Sequence, residues 1–504
     1  MVVALLDLGF DWRHEDIGKG TDSYENVWLN PGEDAWSNPN DPTTGNHIDD
    51  DGDGLVDDWK GWNFDEETNY ISTNGLHGTL IAGIMCAKTN NNKGITGIAG
   101  GWNGPGVKLL FADIGGFGGY RSELVNDAIL YAIGHGAKVI TMCFYINPSS
   151  AIDAAVQYAY NSGTVIVTAS GNIGPCNVQY PGNVPSVIAV SGIKKDGTAY
   201  SSCTKGPVGV SISAPAGTDN GSDPDYWKIF STKPGNVYGY IQGGTSFAAP
   251  QVVGVAALLL SVRPTLTPTQ VRCILEHTAD DMGALGYDSI FGWGRLNAFR
   301  ALQATKILLF SPPNNSTTLY HTVQLNWTQL FGATSYRVQV ATNTNFVNPA
   351  FDQSGITTTN VMVGTLFPYI DYYWRVRADN VLCGVPSWTE TWKFTTGKDT
   401  VYEIEKANLA HRLDQKRLTY QLAQNYPNPF NPKTDIRYEL AENGYVTLKV
   451  YDLLGREIAT LVNEFQEAGT YVATWDASNV SSGMYYYRLV SGGFSDVKKI
   501  MLQR

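Results

Sequence analysis

The sequence predicts an α/β domain built on a parallel sheet, followed by two all-β, sandwich-like domains. Up to about residue 301, apolar β-rich runs alternate with helical apolar patterns, as in a parallel sheet that carries helices on both faces. After Leu302 the helical periods stop, and short strands rich in Trp, Tyr and turn residues follow. The 504-residue chain is also too long for one core, and its length predicts about three domains.

The predicted strands and helices of the α/β domain follow each other in regular order. Strands are predicted at 2–7, 107–112, 137–142, 164–169 and 187–192. Helices are predicted at 77–87, 122–133, 151–161, 246–262 and 268–277. Because parallel sheets place their chemistry at the carboxyl ends of strands, we expect the functional residues to follow these strands.

Changes in composition set the predicted domain boundaries. We expect an α/β domain at 1–303, an all-β domain at 304–397, a linker at 398–420 and a last all-β domain at 421–504. The linker is charged and lacks apolar periodicity, which is typical of a segment without a core of its own.

Charge and cysteine content exclude several classes of protein. A net charge of −12 without a basic run argues against nucleic acid and anionic membranes as partners. No apolar run reaches the roughly 18 residues of a membrane span. Six cysteines in this length are not a disulfide framework. We interpret Cys86, Cys143 and Cys273 as small core residues, whereas Cys176 and Cys203 lie in predicted loops and could pair.

A serine at the start of an apolar helix is the first candidate catalytic residue. Ser246 lies in the run Gly243–Pro250, and the apolar pattern of a buried helix follows it. Unpaired backbone N–H groups and the helix dipole favour negative charge in such a first turn. A serine nucleophile also needs a base and a carboxylate. His77, in another small-residue entry to an apolar helix, and Asp7, at the end of an apolar strand, supply them.

The chain order Asp, His, Ser is that of subtilisin, and residues 1 to about 303 resemble the subtilisin-like serine proteases (subtilases). Four blocks carry this resemblance, at 7–9, 77–79, 169–172 and 244–250. The resemblance implies that Ser246 attacks the scissile carbonyl, His77 moves the proton and Asp7 orients the imidazole. It also implies that Asn172 donates to the oxyanion. Individually these residues could be helix caps or turn residues, and a non-catalytic binding protein on the same scaffold is the alternative.

The same resemblance implies a set of substrate-binding residues around the cleft. These are Cys143, Phe144, Tyr145, Ser170, Gly171 and Thr245. The chain departs from the family here, because 141–145 reads Thr-Met-Cys-Phe-Tyr where the family usually has Asn-Met-Ser-Leu-Gly, and Leu8 replaces the usual Ser or Thr. Since this strand pairs with the substrate backbone, we expect Tyr145 to narrow one wall of the pocket.

An acidic run between Asp7 and His77 predicts a calcium site. Side-chain oxygens at Asp49, Asp51 and Asp53, a carbonyl at Leu55 and Asp57 beyond it match the first nine positions of a calcium loop. Position twelve is Lys60 instead of the bidentate Glu, so the loop is not a full EF-hand. The alternative is a solvated acidic turn.

A second calcium site and the two β domains are inferred from resemblance alone. Asp16 and the loop 90–94 resemble positions where subtilases bind structural calcium. Residues 311–378 resemble a fibronectin type III sandwich. Residues 424–489 resemble the C-terminal sorting domain of bacterial type IX secretion substrates. The implied partners are protein or peptide substrates and the bacterial secretion machinery, at an extracellular or cell-surface location. We also expect an upstream leader and pro-region.

Overall fold

In the computed structural model the chain divides into two units, Met1–Lys398 and Asp399–Arg504. The structure describes residues 1–18, 26–102, 104–115, 120–174, 176–202, 204–206, 208–318, 322–364, 366–379, 383–384, 388–397 and 418–503. Residues 398–417 of the predicted linker, and Cys203 of the predicted cysteine pair, therefore lie outside the described residues.

The first unit is built on a seven-stranded sheet in which every pair of neighbouring strands is parallel. Its strands are β1 (Val2–Asp7), β2 (Trp62–Asn63), β3 (Lys108–Asp113), β4 (Val139–Met142), β5 (Val165–Ala169), β6 (Val187–Ile193) and β7 (Ile212–Pro215), in the order β2-β3-β1-β4-β5-β6-β7. This confirms the predicted parallel α/β sheet. The edge strands β2 and β7 were not predicted, because two and four residues are too short for a clear pattern.

Helices cover both faces of this sheet, as the alternation of side chains requires. The helices are α1 (Leu76–Cys86), α2 (Ser122–Gly134), α3 (Ser150–Asn161), α4 (Thr245–Val262), α5 (Pro268–His277) and α6 (Ala298–Gln303). Along β1, Val3 and Leu5 face one apolar cluster and Ala4 and Leu6 face the other. Successive strand residues point to opposite faces, so a strand buried on both sides is apolar throughout.

Helix α4 runs through the core of the first unit. Its 18 residues have a mean hydropathy of 1.7, so by length and composition it is apolar enough to cross a membrane. Thr, Ser, Gln and Gly interrupt the apolar pattern, which is why the sequence showed no uninterrupted run of this length. The helix is 78% buried inside the protein, as expected of a core helix.

A hairpin of strands β8 (Ile229–Lys233) and β9 (Val237–Ile241) packs against α1. The hydroxyls of Ser231 and Thr232 donate to the carbonyls of Leu80 and Thr79, each at 2.7 Å. Gly83 permits this approach, because a Cβ there would lie 2.1 Å from the Thr232 hydroxyl oxygen. The hairpin therefore fixes the helix that carries His77.

A β region completes the first unit. Its strands are β10 (Leu309–Ser311), β11 (Ser316–Thr318), β12 (Val323–Trp327), β13 (Ser335–Ala341), β14 (Phe351–Ile356), β15 (Asn360–Val363), β16 (Asp371–Asp379) and β17 (Trp392–Thr396). They form a three-stranded sheet (β10-β12-β15) and a five-stranded sheet (β11-β17-β16-β13-β14). One apolar cluster that includes Trp327 and Trp374 lies between them. The fibronectin type III resemblance of this region stays a prediction.

A disulfide joins this β region to helix α5. Cys273 of α5 is bonded to Cys383, 110 residues later in the chain. The prediction that Cys273 is a small core residue is therefore wrong, because its helical apolar pattern could not reveal a partner in another region. Cys86 and Cys143 are buried free thiols, as predicted. Cys176 is disulfide-bonded.

The second unit is all-β, as predicted. Its strands are β18 (Gln421–Leu422), β19 (Lys433–Leu440), β20 (Gly444–Tyr451), β21 (Glu457–Gln466), β22 (Gly469–Asp476), β23 (Gly483–Ser491) and β24 (Phe494–Leu502). They form a three-stranded sheet (β18-β19-β22) and a four-stranded sheet (β21-β20-β23-β24). Alternating residues such as Leu448, Tyr487 and Leu489 supply its core, so this unit has a hydrophobic core of its own.

Candidate active site

The predicted base and carboxylate lie side by side at the carboxyl end of β1. Asp7 ends β1 and is fully buried, and both of its carboxylate oxygens lie within hydrogen-bond distance of His77 Nδ1, at 2.8 and 2.9 Å. Glycines at 75 and 78 make this possible, because a Cβ at either position would lie 2.1–2.3 Å from backbone atoms of Gly9. The start of α1 thus packs directly against the loop after Asp7.

The predicted nucleophile lies at the start of α4. Ser246 is the second residue of that helix and is 8% exposed. Its hydroxyl donates to the carbonyl oxygen of Cys143 at 3.0 Å. The ring of the next residue, Phe247, lies 6.0 Å from the His77 ring, centroid to centroid. The serine and histidine therefore belong to one site, and the serine hydroxyl is turned toward the segment that directly follows β4.

The amide of Asn172 is oriented by the start of α4. Its Oδ1 accepts from the backbone N–H of Thr245 at 2.8 Å and from the Thr245 hydroxyl at 2.9 Å. Gly171 has φ +110°, a conformation that favours glycine, and its N–H donates to the same hydroxyl at 3.3 Å. These donors occupy Oδ1, and Nδ2 lies on the side of Gly244, 3.6 Å from the position of a Cβ at that residue.

A groove of ≈ 450 Å³ lies over these residues. It is lined by His77, Tyr120, Cys143, Phe144, Tyr145, Ile146, Asn147 and Asn172. Tyr145, which we expect to narrow one wall of the pocket, lines the groove and is 64% exposed. The rings of Tyr120 and Phe144 stack at 4.2 Å, centroid to centroid. The sequence analysis missed Tyr120, because this residue belongs to no predicted motif and lies just before the predicted helix 122–133.

Of the other predicted substrate-binding residues, the structure places Ser170, Gly171 and Thr245 beneath Asn172 and not in the groove lining. Ser170 and Thr245 are fully buried. Their role in this geometry is to hold the Asn172 loop against α4, as the Gly171 to Thr245 hydrogen bond illustrates.

A second buried carboxylate, Asp113, lies beside Asp7. The two residues are register partners at the ends of β3 and β1. Asp113 accepts from the backbone N–H of Gly9 at 3.2 Å. Burial, together with the charge of Asp7, raises the pKa of Asp113 to about 7. The sequence offered a signal for Asp113, since it follows a predicted strand just as Asp7 ends one, but no motif surrounds it.

The environment of His77 favours its protonated form. Burial lowers the pKa of the imidazole, but the charge of Asp7 and the hydrogen bond to it outweigh that effect, and the net pKa is raised above its usual value. Asp7 thus orients the ring and stabilises the imidazolium that general-base catalysis would form.

The carboxylates of the predicted calcium loop accept hydrogen bonds from backbone N–H groups, and two of them also lie near a histidine. Asp49 accepts from the backbone N–H groups of Gly52 and Gly54, and buried Asp57 accepts from those of Asn46 and His47. These two carboxylates therefore shape turns. Asp51 likewise accepts from the backbone N–H of Asp53 at 3.1 Å. In addition, carboxylate oxygens of Asp51 and Asp53 lie within 4.8 Å of each other and of a His135 ring nitrogen. Leu55 donates its N–H to Asp53 at 2.8 Å.

Lys60, the residue at position twelve of this loop, points into an aromatic cage. Its ammonium lies 3.5 Å from the ring centroid of Trp12, 5.0 Å from that of Trp36 and 4.9 Å from that of Trp59. It also donates to the carbonyl of Pro39. Burial lowers the pKa of Lys60 to about 6. The lysine thus anchors the end of the acidic run, where an EF-hand would supply its bidentate ligand.

Asp16, the second predicted calcium residue, is fully buried next to the predicted loop. It accepts from the side-chain amide of Asn91 at 2.5 Å and from the backbone N–H of Ile95 at 3.2 Å. Burial raises the pKa of this carboxyl. The structure therefore brings Asp16 together with Asn91 of the predicted loop 90–94, and calcium binding there stays a prediction.

Comparison with known proteins identifies the family. Residues 1–294 match the Subtilase family. The chain belongs to the subtilase family. Thermitase from Thermoactinomyces vulgaris is 36% identical to this subtilase over 244 residues, which are 48% of this chain and 80% of thermitase. Subtilisin E from Bacillus subtilis is 36% identical over 242 residues, 47% of this chain and 58% of that protein.

Two further proteins are similar to this chain. The thermophilic serine proteinase of Bacillus sp. (strain AK1) is 34% identical over 292 residues, 57% of this chain and 63% of that protein. A solved structure of a protease from Pseudoalteromonas arctica is 30% identical and covers 60% of this chain and 89% of its own, with a TM-score of 0.46. This subtilase is a subtilisin-like serine endopeptidase.

The second unit has its own match. Residues 424–503 match the secretion system C-terminal sorting domain. This subtilase is therefore an extracellular or cell-surface protein, whose last domain is a sorting signal.

Proposed function

We propose that this subtilase hydrolyses peptide bonds through Asp7, His77 and Ser246, with Asn172 as an oxyanion donor. The observation that carries the proposal is the pairing of His77 Nδ1 with both oxygens of buried Asp7. That pairing leaves Nε2, the other ring nitrogen, to act as the base.

In the proposed reaction, Ser246 must give up its hydrogen bond to Cys143. A substrate backbone that pairs with the segment after β4 would compete for the carbonyl of Cys143, which now accepts from the serine at 3.0 Å, and would release the hydroxyl toward His77. Hydrogen bonds of catalytic groups often tighten only when substrate is bound. His77 would then take the proton as Ser246 attacks the carbonyl carbon, and later deliver it to the leaving amine.

The oxyanion would be held by two donors. One is the backbone N–H of Ser246 at the start of α4, where the helix dipole also favours negative charge. The other is Nδ2 of Asn172, whose orientation is fixed because its Oδ1 accepts from Thr245. Both donors are preorganised by the same helix terminus, so the site needs little rearrangement when charge develops.

The substrates we propose are protein or peptide segments bound in extended form along Cys143–Tyr145. Tyr145 and the stacked pair of Tyr120 and Phe144 line this groove, so aromatic surface is available for a substrate side chain.

We also propose structural calcium on the acidic run, at Asp49, Asp51, Asp53, Leu55 and Asp57, and at Asp16. The support is chemical: closely spaced carboxylates favour a hard divalent cation. The sorting domain is proposed to address the protein to a bacterial secretion machinery of type IX.

The test of the catalytic proposal is hydrolysis of a denatured protein by the full chain and by Ser246→Ala. Loss of the hydroxyl removes the nucleophile and opens no large cavity, so we expect an undetectable rate in a variant with the melting temperature of the parent. A variant that retains the parent's turnover would favour the alternative, a binding protein on a protease scaffold.

A further inference from the structure

Glu33, a residue outside the acidic run, faces that run with a buried carboxylate. Glu33 is 7% exposed. Its Oε1 accepts from the backbone N–H groups of Asp50 at 2.8 Å and Asp51 at 3.3 Å. Its Oε2 is buried and has no hydrogen-bond partner among the parts of the chain that the structure describes. A buried acceptor without a partner is costly and calls for a ligand.

Two further carboxylates converge on the same point. Oxygens of Glu33, Asp51 and Asp58 all lie within 4.8 Å of one another. Asp58 is fully buried, whereas Asp51 is exposed, so the group is enclosed on one side and open to solvent on the other. An ion could therefore enter at Asp51 and be held by the two buried groups.

The surrounding contacts fix these three side chains in place. The side-chain amide of Asn30 donates to Asp51 at 2.9 Å and to Asp58 at 2.7 Å, and so links two of them. The hydroxyl of Tyr131 donates to the other oxygen of Asp58. Gly32 packs on Asp51, because a Cβ at that position would lie 2.5 Å from the Asp51 Cβ. The site is thus assembled from three chain segments before any ion binds.

The charges of this group are not balanced by the protein cation beside it. His135 Nε2 lies 3.1 Å from an oxygen of Asp53 and 3.8 Å from one of Asp58, and it can supply at most one positive charge. Three ionised carboxylates whose oxygens lie within 4.8 Å of one another repel, and a cation between them removes that repulsion. A water molecule could satisfy Glu33 Oε2 but would leave that repulsion in place.

We propose that a calcium ion binds between Glu33, Asp51 and Asp58. This inference deepens the proposed calcium site of the acidic run, on which it rests, by adding to Asp51 two ligands, Glu33 and Asp58, that the run's spacing does not contain. All three donors are carboxylate oxygens, the ligands of a hard cation, and calcium accepts the irregular geometry of ligands from separate segments. Glu33 and Asp58 are buried, whereas Asp49 at the start of the run is only partly buried, so the buried pair forms the enclosed side of this site.

The experiment is a calorimetric calcium titration of the full chain after removal of metal by a chelator. All proteins carry Ser246→Ala to prevent self-cleavage. We expect Glu33→Gln, which keeps the shape of the side chain, to weaken one calcium site by about tenfold or more, because it removes a charged ligand. Glu66→Gln removes the same charge from an exposed residue outside the group and should bind calcium as the parent does.

Folding of the variants is checked by their melting temperatures in chelator, where Glu33→Gln should be at least as stable as the parent. Asp58→Asn serves as the second variant and should weaken the same site. Terbium luminescence excited through Tyr131, which contacts Asp58, gives an independent readout and should fall in both variants.

Three outcomes would overturn the proposal in distinguishable ways. If Glu33→Gln binds calcium normally while Asp49→Asn does not, the run itself supplies the ligands and only the present assignment fails. If zinc binds in preference to calcium and His135→Asn abolishes that binding, the group of Asp51, Asp53 and His135 is the metal site. If the parent binds no calcium at all, the proposed calcium function fails together with this inference, while peptidase activity remains a separate question.

Discussion

Single residues in this subtilase act through the groups that orient them. Asn172 is held by two bonds from Thr245 to its Oδ1, and His77 by two contacts from Asp7 to its Nδ1. In each case one polar atom of the side chain is occupied, and the proposed catalytic role belongs to the other: Nε2 of His77 as the base and Nδ2 of Asn172 as the oxyanion donor. This arrangement preorganises the donor and the base before substrate binds, which is where most of the rate enhancement of such sites arises.

Replacing Asn172 tests the oxyanion donor. Asn172→Ala removes Nδ2, and loss of the corresponding donor in subtilisin, the reference case, lowers turnover about 10²- to 10³-fold. We expect a decrease in kcat of that order with little change in KM, because the donor acts on the transition state. Steady-state kinetics on a peptide substrate measures this, and a variant with the parent's kcat would show that Asn172 is a loop residue only.

Asp113 makes stability depend on pH. Its pKa in the folded protein is raised from 3.8 to about 7, so between these values the folded state holds a proton that the unfolded state has lost. Because the folded state then binds more protons, the free energy of unfolding falls as pH rises through this window. For one such proton, the free energy of unfolding falls by about 1.4 kcal/mol for each pH unit.

Asp113→Asn should remove that dependence. We expect the stability of the variant, relative to the parent, to increase from pH 4 to pH 8. Denaturant unfolding at several pH values measures it, with Ser246→Ala in both proteins. An unchanged difference between variant and parent over the whole range would show that Asp113 is ionised in the folded state.

At the scale of elements, the disulfide between α5 and the β region is a structural link that we expect to stabilise the first unit. Cys273 and Cys383 are 110 residues apart in the chain, and a disulfide typically contributes about 2–4 kcal/mol to the free energy of unfolding. The double variant Cys273→Ala, Cys383→Ala should therefore melt several degrees lower. Reduced parent protein is not an equivalent control, since Cys176 is also disulfide-bonded. A melting temperature equal to the parent's would contradict this role.

Helices and strands with a clear period of apolar residues can be predicted from the sequence, whereas contacts between distant segments cannot. The helix 268–277 has the bounds that its apolar pattern predicts. The structure adds a cap at its start, where the side chain of Thr267 accepts from the backbone N–H of Gln270. Strand β2 has two residues and carries no pattern of its own, and it forms only because β3 lies beside it.

The residues of the candidate site divide in the same way, into those that local motifs predict and those that only distant contacts reveal. Asp7, His77, Asn172 and Ser246 could be named from local motifs, since each follows a strand or opens a helix. Glu33 and Asp113 could not, because their importance depends on neighbours that are far away in sequence.

At the scale of the whole molecule, the catalytic residues and the sorting domain belong to separate units. The described residues of the candidate site lie between Asp7 and Ser246, in the first unit, and the second unit has its own core. We expect deletion of residues 421–504 to leave peptidase activity per folded molecule unchanged. The rate of peptide hydrolysis, normalised to folded protein, measures this. A large loss of activity in a folded deletion variant would contradict it.

The central claim is that Ser246 is an activated nucleophile. Its most direct test is reaction of the full chain with a fluorophosphonate probe, followed by mass-spectrometric mapping of the labelled peptide, because only a serine paired with a base reacts readily. We predict one label, on Ser246, that is absent from Ser246→Ala and greatly reduced in His77→Ala. Absence of labelling in folded parent protein, or a label on another serine that persists in Ser246→Ala, would contradict the claim.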